Sequence, residues 1–177
     1  MYKKKYGRMT VSAWLASEME QSSIAWMLVI GFVCLLGGWG VRISVGSPYT
    51  FLHTLNVLQN LPPVWLMTFL WSVALFTVGC AGGYVLGFRE RGRGSEKYRG
   101  CLLFFFLMLC ELLWYAVFFG AELVFISSLL SVCILCTAVA VTAAFCRVSK
   151  FASTILLLHD FWLVYMLILN FSVVFHS

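Results

Sequence analysis

The sequence predicts an all-α membrane protein built as a bundle of five transmembrane helices. Of its 177 residues 62% are apolar and 11% are charged, and the mean hydropathy is +0.95, which excludes an ordinary soluble domain. Five charge-poor stretches each reach the roughly 20 residues that cross about 30 Å of hydrocarbon. They comprise residues 24–45, 62–88, 101–119, 123–146 and 151–175.

The basic residues predict how these spans are oriented. Lys and Arg concentrate before span one, between spans two and three, and between spans four and five. Five spans place all three segments on one side, which the positive-inside rule assigns to the cytoplasm. The N-terminus is then cytoplasmic and the C-terminus outside, in what we expect to be a bacterial inner (plasma) membrane. Because topology accounts for the net charge of +5, no nucleic-acid partner is predicted.

The chain divides into a polar leader, residues 1–22, and the five-helix domain, residues 23–177. Apolar residues between Val11 and Met19 give the leader an amphipathic pattern. A short helix at the membrane surface and a segment without regular structure both fit this pattern. A signal peptide would carry its apolar core nearer the start, so span one is expected to remain in the mature protein.

The connection between spans one and two is long and external. Its sequence is GSPYTFLHTLNVLQN, residues 46–60, and leucines recur at every third position from Leu52 to Leu58. The spacing predicts a short helix lying against the outer ends of the spans. Such a helix is either a lid over a cavity or a packed connector without a gating role.

Span two carries clear signals for its start and for one contact face. Pro62 and Pro63 suit the first helical turn, because backbone N–H groups there make no hydrogen bond within the helix and proline lacks this group. Gly79, Gly83 and Gly87 recur every four residues and therefore predict a helix-packing surface. The surface can lie within the monomer or across a homodimer, and the pattern leaves both open.

Ionisable residues inside the spans are the main pointers to a site. Glu111 interrupts span three, and the adjacent His159 and Asp160 lie in span five. A carboxylate near the centre of a spanning helix costs about 2.5–3.5 kcal/mol on insertion scales, so it is expected to face a partner or a cavity.

Helical spacing groups aromatic residues with these polar ones. Trp114 lies three residues after Glu111, and Trp162 and Met166 share a face with His159. Together with Trp71 in span two they would form a flat apolar slot with a few polar groups, as ligand pockets have. The alternatives are that the tryptophans are packing or interface anchors, and that Glu111 pairs with His159 to hold two helices together.

The sequence gives no sign of a metal centre or a bound cofactor. No Walker loop, HExxH or GxSxG motif occurs, and the CILC segment, residues 133–136, lacks a second Cys pair or a nearby His. The seven cysteines lie mostly within the spans, where a thiol behaves as a small apolar group. They do not predict a disulfide framework.

Two longer patterns resemble a known family. PPVWLMTFLWSVALFTVG in span two has two prolines, a deep Trp71 and then Gly79, and WYAVFFG at the end of span three combines Trp114 with a Phe-Phe-Gly element. These two patterns, and their spacing to Trp162 and the Leu169-Asn170 pair, resemble the TspO/MBR family. The family is also called translocator protein, tryptophan-rich sensory protein or peripheral benzodiazepine receptor. The resemblance covers residues 24–175.

The resemblance implies a five-helix bundle, often dimeric, with a pocket that opens toward the first loop and the C-terminus. Members bind porphyrins such as protoporphyrin IX, and some bind sterols or drug-like molecules. It therefore implies a membrane receptor or sensor in which Trp71 and Trp162, with Trp114, line the pocket among membrane lipid. Some members are linked to light-dependent porphyrin breakdown; we expect no enzyme here, but this activity and a proton-coupled transporter using Glu111, His159 and Asp160 are alternatives.

The chain departs from the family pattern in the predicted pocket. Glu111 stands where the family usually has Asn, and Leu158-His159 stands where it has Pro-Tyr. We therefore interpret Glu111 as a replaced pocket residue that accepts hydrogen bonds from ring N–H groups or from a cationic ligand. In the empty site its partner would be His159 or water.

Overall fold

The computed structural model describes residues 24–46, 51, 63–88 and 94–176, and its regular structure is helical. Five helices in these ranges are long and apolar enough to cross a membrane, so the predicted all-α five-helix class is confirmed. They are α1 Ile24–Val45, α2 Val64–Gly87, α3 Gly94–Tyr115 with a π-helical turn Ala116–Gly120, α4 Val124–Val148 and α5 Lys150–His176. The protein is an integral multi-pass membrane protein.

The helix ends agree with the predicted spans except at α3. This helix begins at Gly94, seven residues before the predicted span, because its polar first two turns continue the helix beyond the apolar stretch. Glu96 in the first turn favours this start, since a carboxylate interacts well with the positive end of the helix dipole. Pro63 caps α2, and its carbonyl accepts hydrogen bonds from the N–H groups of Leu66 and Met67.

Two expectations fall largely outside the described ranges. The leader, residues 1–22, is one of them, and the lid or connector, residues 46–60, is the other, apart from Gly46 and Phe51. Phe51 is buried, and its ring meets those of Phe118 and Phe119 edge-on at 5.5 and 6.4 Å. Both alternatives for this connection stay predictions.

The helices form a ring in the order α1, α2, α5, α4, α3, with α3 returning to α1. α1 lies along α2 at very short distance because α2 presents glycines to it. A Cβ on Gly79 would lie 2.8 Å from the Gly31 Cα, and a Cβ on Gly83 would collide with the Trp26 carbonyl. These glycines therefore lie against a helix of the same chain.

One half of the bundle is solidly packed. At the end where α2 finishes and α3 begins, the Phe104 ring lies directly on Gly82 and 6.2 Å from the Phe145 ring. Tyr84 is fully buried in the same half, with its ring 5.2 Å from that of Phe151. The Lys97 ammonium closes this end by donating hydrogen bonds to the Leu86 and Phe88 carbonyls at 2.7 and 3.0 Å. The interior cavities described below lie in the other half.

The packing of α1 on α2 gives a direct test. Gly83→Ala places a methyl group against the backbone of α1, and overpacking of this kind costs roughly 1–3 kcal/mol. We expect a clearly lower midpoint of thermal unfolding in detergent. Gly40→Ala is the matched control, because a Cβ at Gly40 meets open space; equal midpoints for the two variants would contradict the close contact.

Candidate ligand-binding site

A carboxylate–imidazole pair, which is an ion pair when His159 is protonated, joins α3 and α5 inside the bundle. Glu111 Oε1 lies 2.9 Å from His159 Nε2, and both side chains are almost fully buried. The two atoms are at ion-pair distance, but the contact lacks the alignment of a good hydrogen bond. The pair brings together two of the predicted site residues.

Aromatic rings stack in two layers beside this pair. Trp71 of α2 stacks on Tyr115 of α3 with ring centroids 4.9 Å apart and planes 29° apart. Trp114 stacks on Phe118 at 5.2 Å and 11°. Phe118 belongs to the π-helical turn, whose wider winding continues α3 past Tyr115. The walls so formed are flat and largely apolar.

Three small cavities share these walls, and we call them together the slot. Trp114 and Met166 line all three, and Trp71 and Trp162 line two. The outer cavity, of about 40 Å³, reaches Arg42. The deep cavity, of about 30 Å³, reaches Glu111, and a side cavity of about 20 Å³ runs along α5.

Several polar atoms around the slot have no hydrogen-bond partner among the described residues. Three belong to residues that line the deep cavity: Glu111 Oε1, Trp114 Nε1 and Asn170 Oδ1. Asn170 uses its amide N–H to donate to the Met166 carbonyl at 3.0 Å. The residues that line the deep cavity thus carry one such donor, on Trp114, and two such acceptors, of which Glu111 Oε1 also faces His159 Nε2 at 2.9 Å. The volume of the cavity is enough for a water molecule.

Asp160 takes no part in this arrangement. One of its carboxylate oxygens accepts a hydrogen bond of 2.8 Å from the Thr142 hydroxyl of α4, so the side chain faces α4 while that of His159 faces α3. Adjacent residues on a helix point about 100° apart, which explains the difference. The Thr142–Asp160 bond joins α4 to α5 and leaves Glu111 and His159 as a separate pair.

No cluster of three His, Cys, Asp or Glu side chains suited to a metal occurs in the described part of the chain. Cys133 and Cys136 of the CILC segment are exposed on the outer surface of α4. Their position there does not connect them with the slot.

The sequence is similar to known proteins. It matches the family model described as TspO/MBR family over residues 26–176. The chain belongs to the TspO/MBR family. It is also 29% identical over 157 residues to the "Tryptophan-rich protein TspO" of Chlorobaculum tepidum, an alignment that covers 88% of this chain and 97% of that protein. Membership supports a sensor or receptor role in the membrane.

The structure places most predicted TspO/MBR pocket residues around the slot. Trp71, Glu111, Trp114, Trp162 and Met166 line its cavities. The sixth, the histidine paired with Glu111, lies behind the deep cavity and borders a groove on the outer surface between α2 and α5.

Sequence reasoning missed two residues of the slot. Tyr115 forms part of the outer cavity, and its position four residues after Glu111 could have placed it on the same face. Arg42 lines the mouth of the outer cavity and lies over the Trp39 ring at 5.0 Å. It lies in the last turn of α1, at the end of the bundle opposite Lys97.

The ion pair predicts a strong coupling between two substitutions. Removing one member of a buried pair leaves the other without compensation and costs roughly 3–5 kcal/mol in soluble proteins. We expect Glu111→Leu or His159→Leu alone to lower stability strongly, and the double variant to recover much of the loss. A double-mutant cycle of unfolding free energies in detergent measures the coupling; purely additive effects would argue against the pair.

Proposed function

We propose that this TspO/MBR protein is a receptor or sensor that binds a planar hydrophobic ligand, such as a porphyrin, in the slot. The observation that carries the proposal is the meeting of three indoles, those of Trp71, Trp114 and Trp162, around cavities whose lining residues also carry buried polar atoms without a hydrogen-bond partner among the described residues. Flat aromatic walls favour a flat ligand. A few fixed polar groups within them set its orientation.

The size of the slot implies that binding changes the conformation. Pockets for drug-sized ligands measure about 300–1,000 Å³, whereas the largest of the three cavities is about 40 Å³. A porphyrin therefore has to separate facing walls, and the stack of Trp71 on Tyr115 between α2 and α3 is the natural place to open. A ligand that moves helices apart has a direct way to signal its presence, as a sensor requires.

The charged residues at the two ends of the slot match porphyrin chemistry. Arg42 lies at the mouth, where a guanidinium can bind a carboxylate. Glu111 lies at the deep end, where a carboxylate accepts hydrogen bonds from N–H groups. A porphyrin has N–H groups at the centre of its ring and carboxylates along one edge. It can therefore donate hydrogen bonds to Glu111 while its carboxylates bind Arg42.

Titration with protoporphyrin IX tests the proposal. We expect saturable quenching of tryptophan fluorescence, and a dissociation constant raised about threefold to tenfold in Trp71→Phe and Trp162→Phe, the range expected for a lost aromatic contact. Trp65→Phe is the control, because Trp65 is 67% exposed on the outside of α2. The absence of saturable binding in the parent protein would reject a porphyrin ligand.

The role of Arg42 is tested with two forms of one ligand. Arg42→Gln is expected to weaken the binding of protoporphyrin IX by roughly tenfold to a hundredfold, the value of one charge-assisted hydrogen bond. The binding of its dimethyl ester should be unaffected. Equal losses for acid and ester would mean that Arg42 acts through packing. The comparison separates charge recognition from any change in slot shape.

The buried pair supports proton-coupled transport as a second candidate. Ionisable groups within membrane spans often mark proton pathways, and Glu111 and His159 are in contact. Because Asp160 faces α4, only the first two would take part. Ligand flux into proteoliposomes that responds to a pH gradient and fails in Glu111→Gln would favour transport over sensing.

Light separates binding from porphyrin degradation. The same complex, kept in the dark or illuminated, is followed by its porphyrin absorbance. A stable band under both conditions supports a receptor. A loss under light that Trp71→Phe or Trp162→Phe abolishes would support an enzyme.

A further inference from the structure

A second open space lies far from the slot, at the packed end of the bundle. It is a groove on the outer surface between the start of α3 and the end of α4, with a volume of about 480 Å³. Its walls contain three alanines of α4, so we call it the alanine groove. The residues that line it are Ser95, Glu96, Arg99 and Leu103 of α3 and Ala140, Ala143, Ala144 and Arg147 of α4.

The polarity of the alanine groove changes along its length. Arg99 precedes Leu103 by one helical turn, and Arg147 follows Ala143 by one turn in the antiparallel helix. Both arginines therefore stand at the end of the groove nearest the loops, and the apolar residues lie deeper along the helices. The floor is closed, because Gly100 of α3 lies against the Phe145 ring of α4.

The two arginines are available for an anion. Neither guanidinium has a carboxylate partner among the described residues, and both side chains are exposed. Glu96 also lines the groove and carries the opposite charge, so the groove keeps a net charge of one positive unit. Ser95 adds a hydroxyl donor in the same helical turn as Glu96.

We propose that the alanine groove binds an anionic phospholipid, with its phosphate between Arg99 and Arg147 and an acyl chain along the alanines. A phospholipid has the same order of charge and apolar surface as the groove. Arg binds phosphate oxygens through two parallel N–H donors. Basic pockets between transmembrane helices at the level of the headgroups are suited to anionic lipids.

Native mass spectrometry of the purified full-length protein tests this site. The protein is titrated with phosphatidylglycerol and with phosphatidylcholine that carry identical acyl chains. We expect the first bound phosphatidylglycerol to be preferred by roughly tenfold to thirtyfold, because each of the two arginines favours an anion by about 1 kcal/mol and Glu96 opposes them. The double variant Arg99→Gln/Arg147→Gln is expected to bind both lipids equally.

Two further variants separate the groove from general charge effects. Arg147→Gln and Lys150→Gln each remove one exposed positive charge at the same end of the bundle; the first should reduce the preference severalfold and the second should leave it unchanged. Ala143→Leu fills the groove without changing charge and should reduce retention of both lipids.

Three results would overturn the proposal. The first is an unchanged preference in the double arginine variant. The second is displacement of the lipid by inorganic phosphate, which would indicate a site for free anions. The third is a change of the monomer–dimer ratio in Ala143→Leu with lipid retention intact, which would make the groove a contact between copies. Titration of the same variants with protoporphyrin IX shows whether the slot is intact, so a failure of the groove can be told apart from a failure of the slot.

Discussion

The structure depends on one constraint: an ionisable side chain within hydrocarbon must find a partner inside the protein. Glu111 and His159 meet this requirement by pairing at 2.9 Å across the bundle. Exposing either to lipid would cost several kcal/mol, so the pair holds α3 and α5 in a fixed relation. These helices carry Trp114, Trp162 and Met166. The pair therefore sets the distance between two walls of the slot, and α2 forms the third wall.

The two halves of the bundle are built for different tasks. Near the start of α3, glycines allow close approach of backbones and rings inside the bundle, as where Phe104 lies on Gly82. In the other half, large aromatic rings meet face to face and leave the three cavities between them. Tightly packed interiors resist deformation. Opening of the slot can thus be confined to the half that bears Arg42, while the packed half keeps the helices in register.

Much of the fold was predictable because each span obeys a simple rule of length and hydropathy. The aromatic and polar faces followed from helical spacing alone, which brought Glu111 and Trp114 together and placed Trp162 with Met166. The spacing of residues within one helix does not determine which neighbouring helix a given face contacts. For that reason the stack of Trp71 on Tyr115 and the partner of Asp160 were not predictable, since both depend on the order of helices around the ring. The family resemblance supplied the register between spans that periodicity lacks.

If the slot binds a ligand as proposed, its buried polar groups also limit which ligands fit. The indole N–H of Trp114 and the amide oxygen of Asn170 have no hydrogen-bond partner among the described residues, and Glu111 contacts His159 without the alignment of a good hydrogen bond. The deep cavity that these residues line is large enough for a water molecule that would bond them. A ligand that displaces such water without reproducing its hydrogen bonds loses affinity. A purely apolar molecule would fill the opened space and leave these groups unsatisfied, at about 1–3 kcal/mol for each. A planar ligand with N–H groups near its centre offsets both this cost and the cost of parting the walls, so the deep end favours a porphyrin-like ring over a sterol.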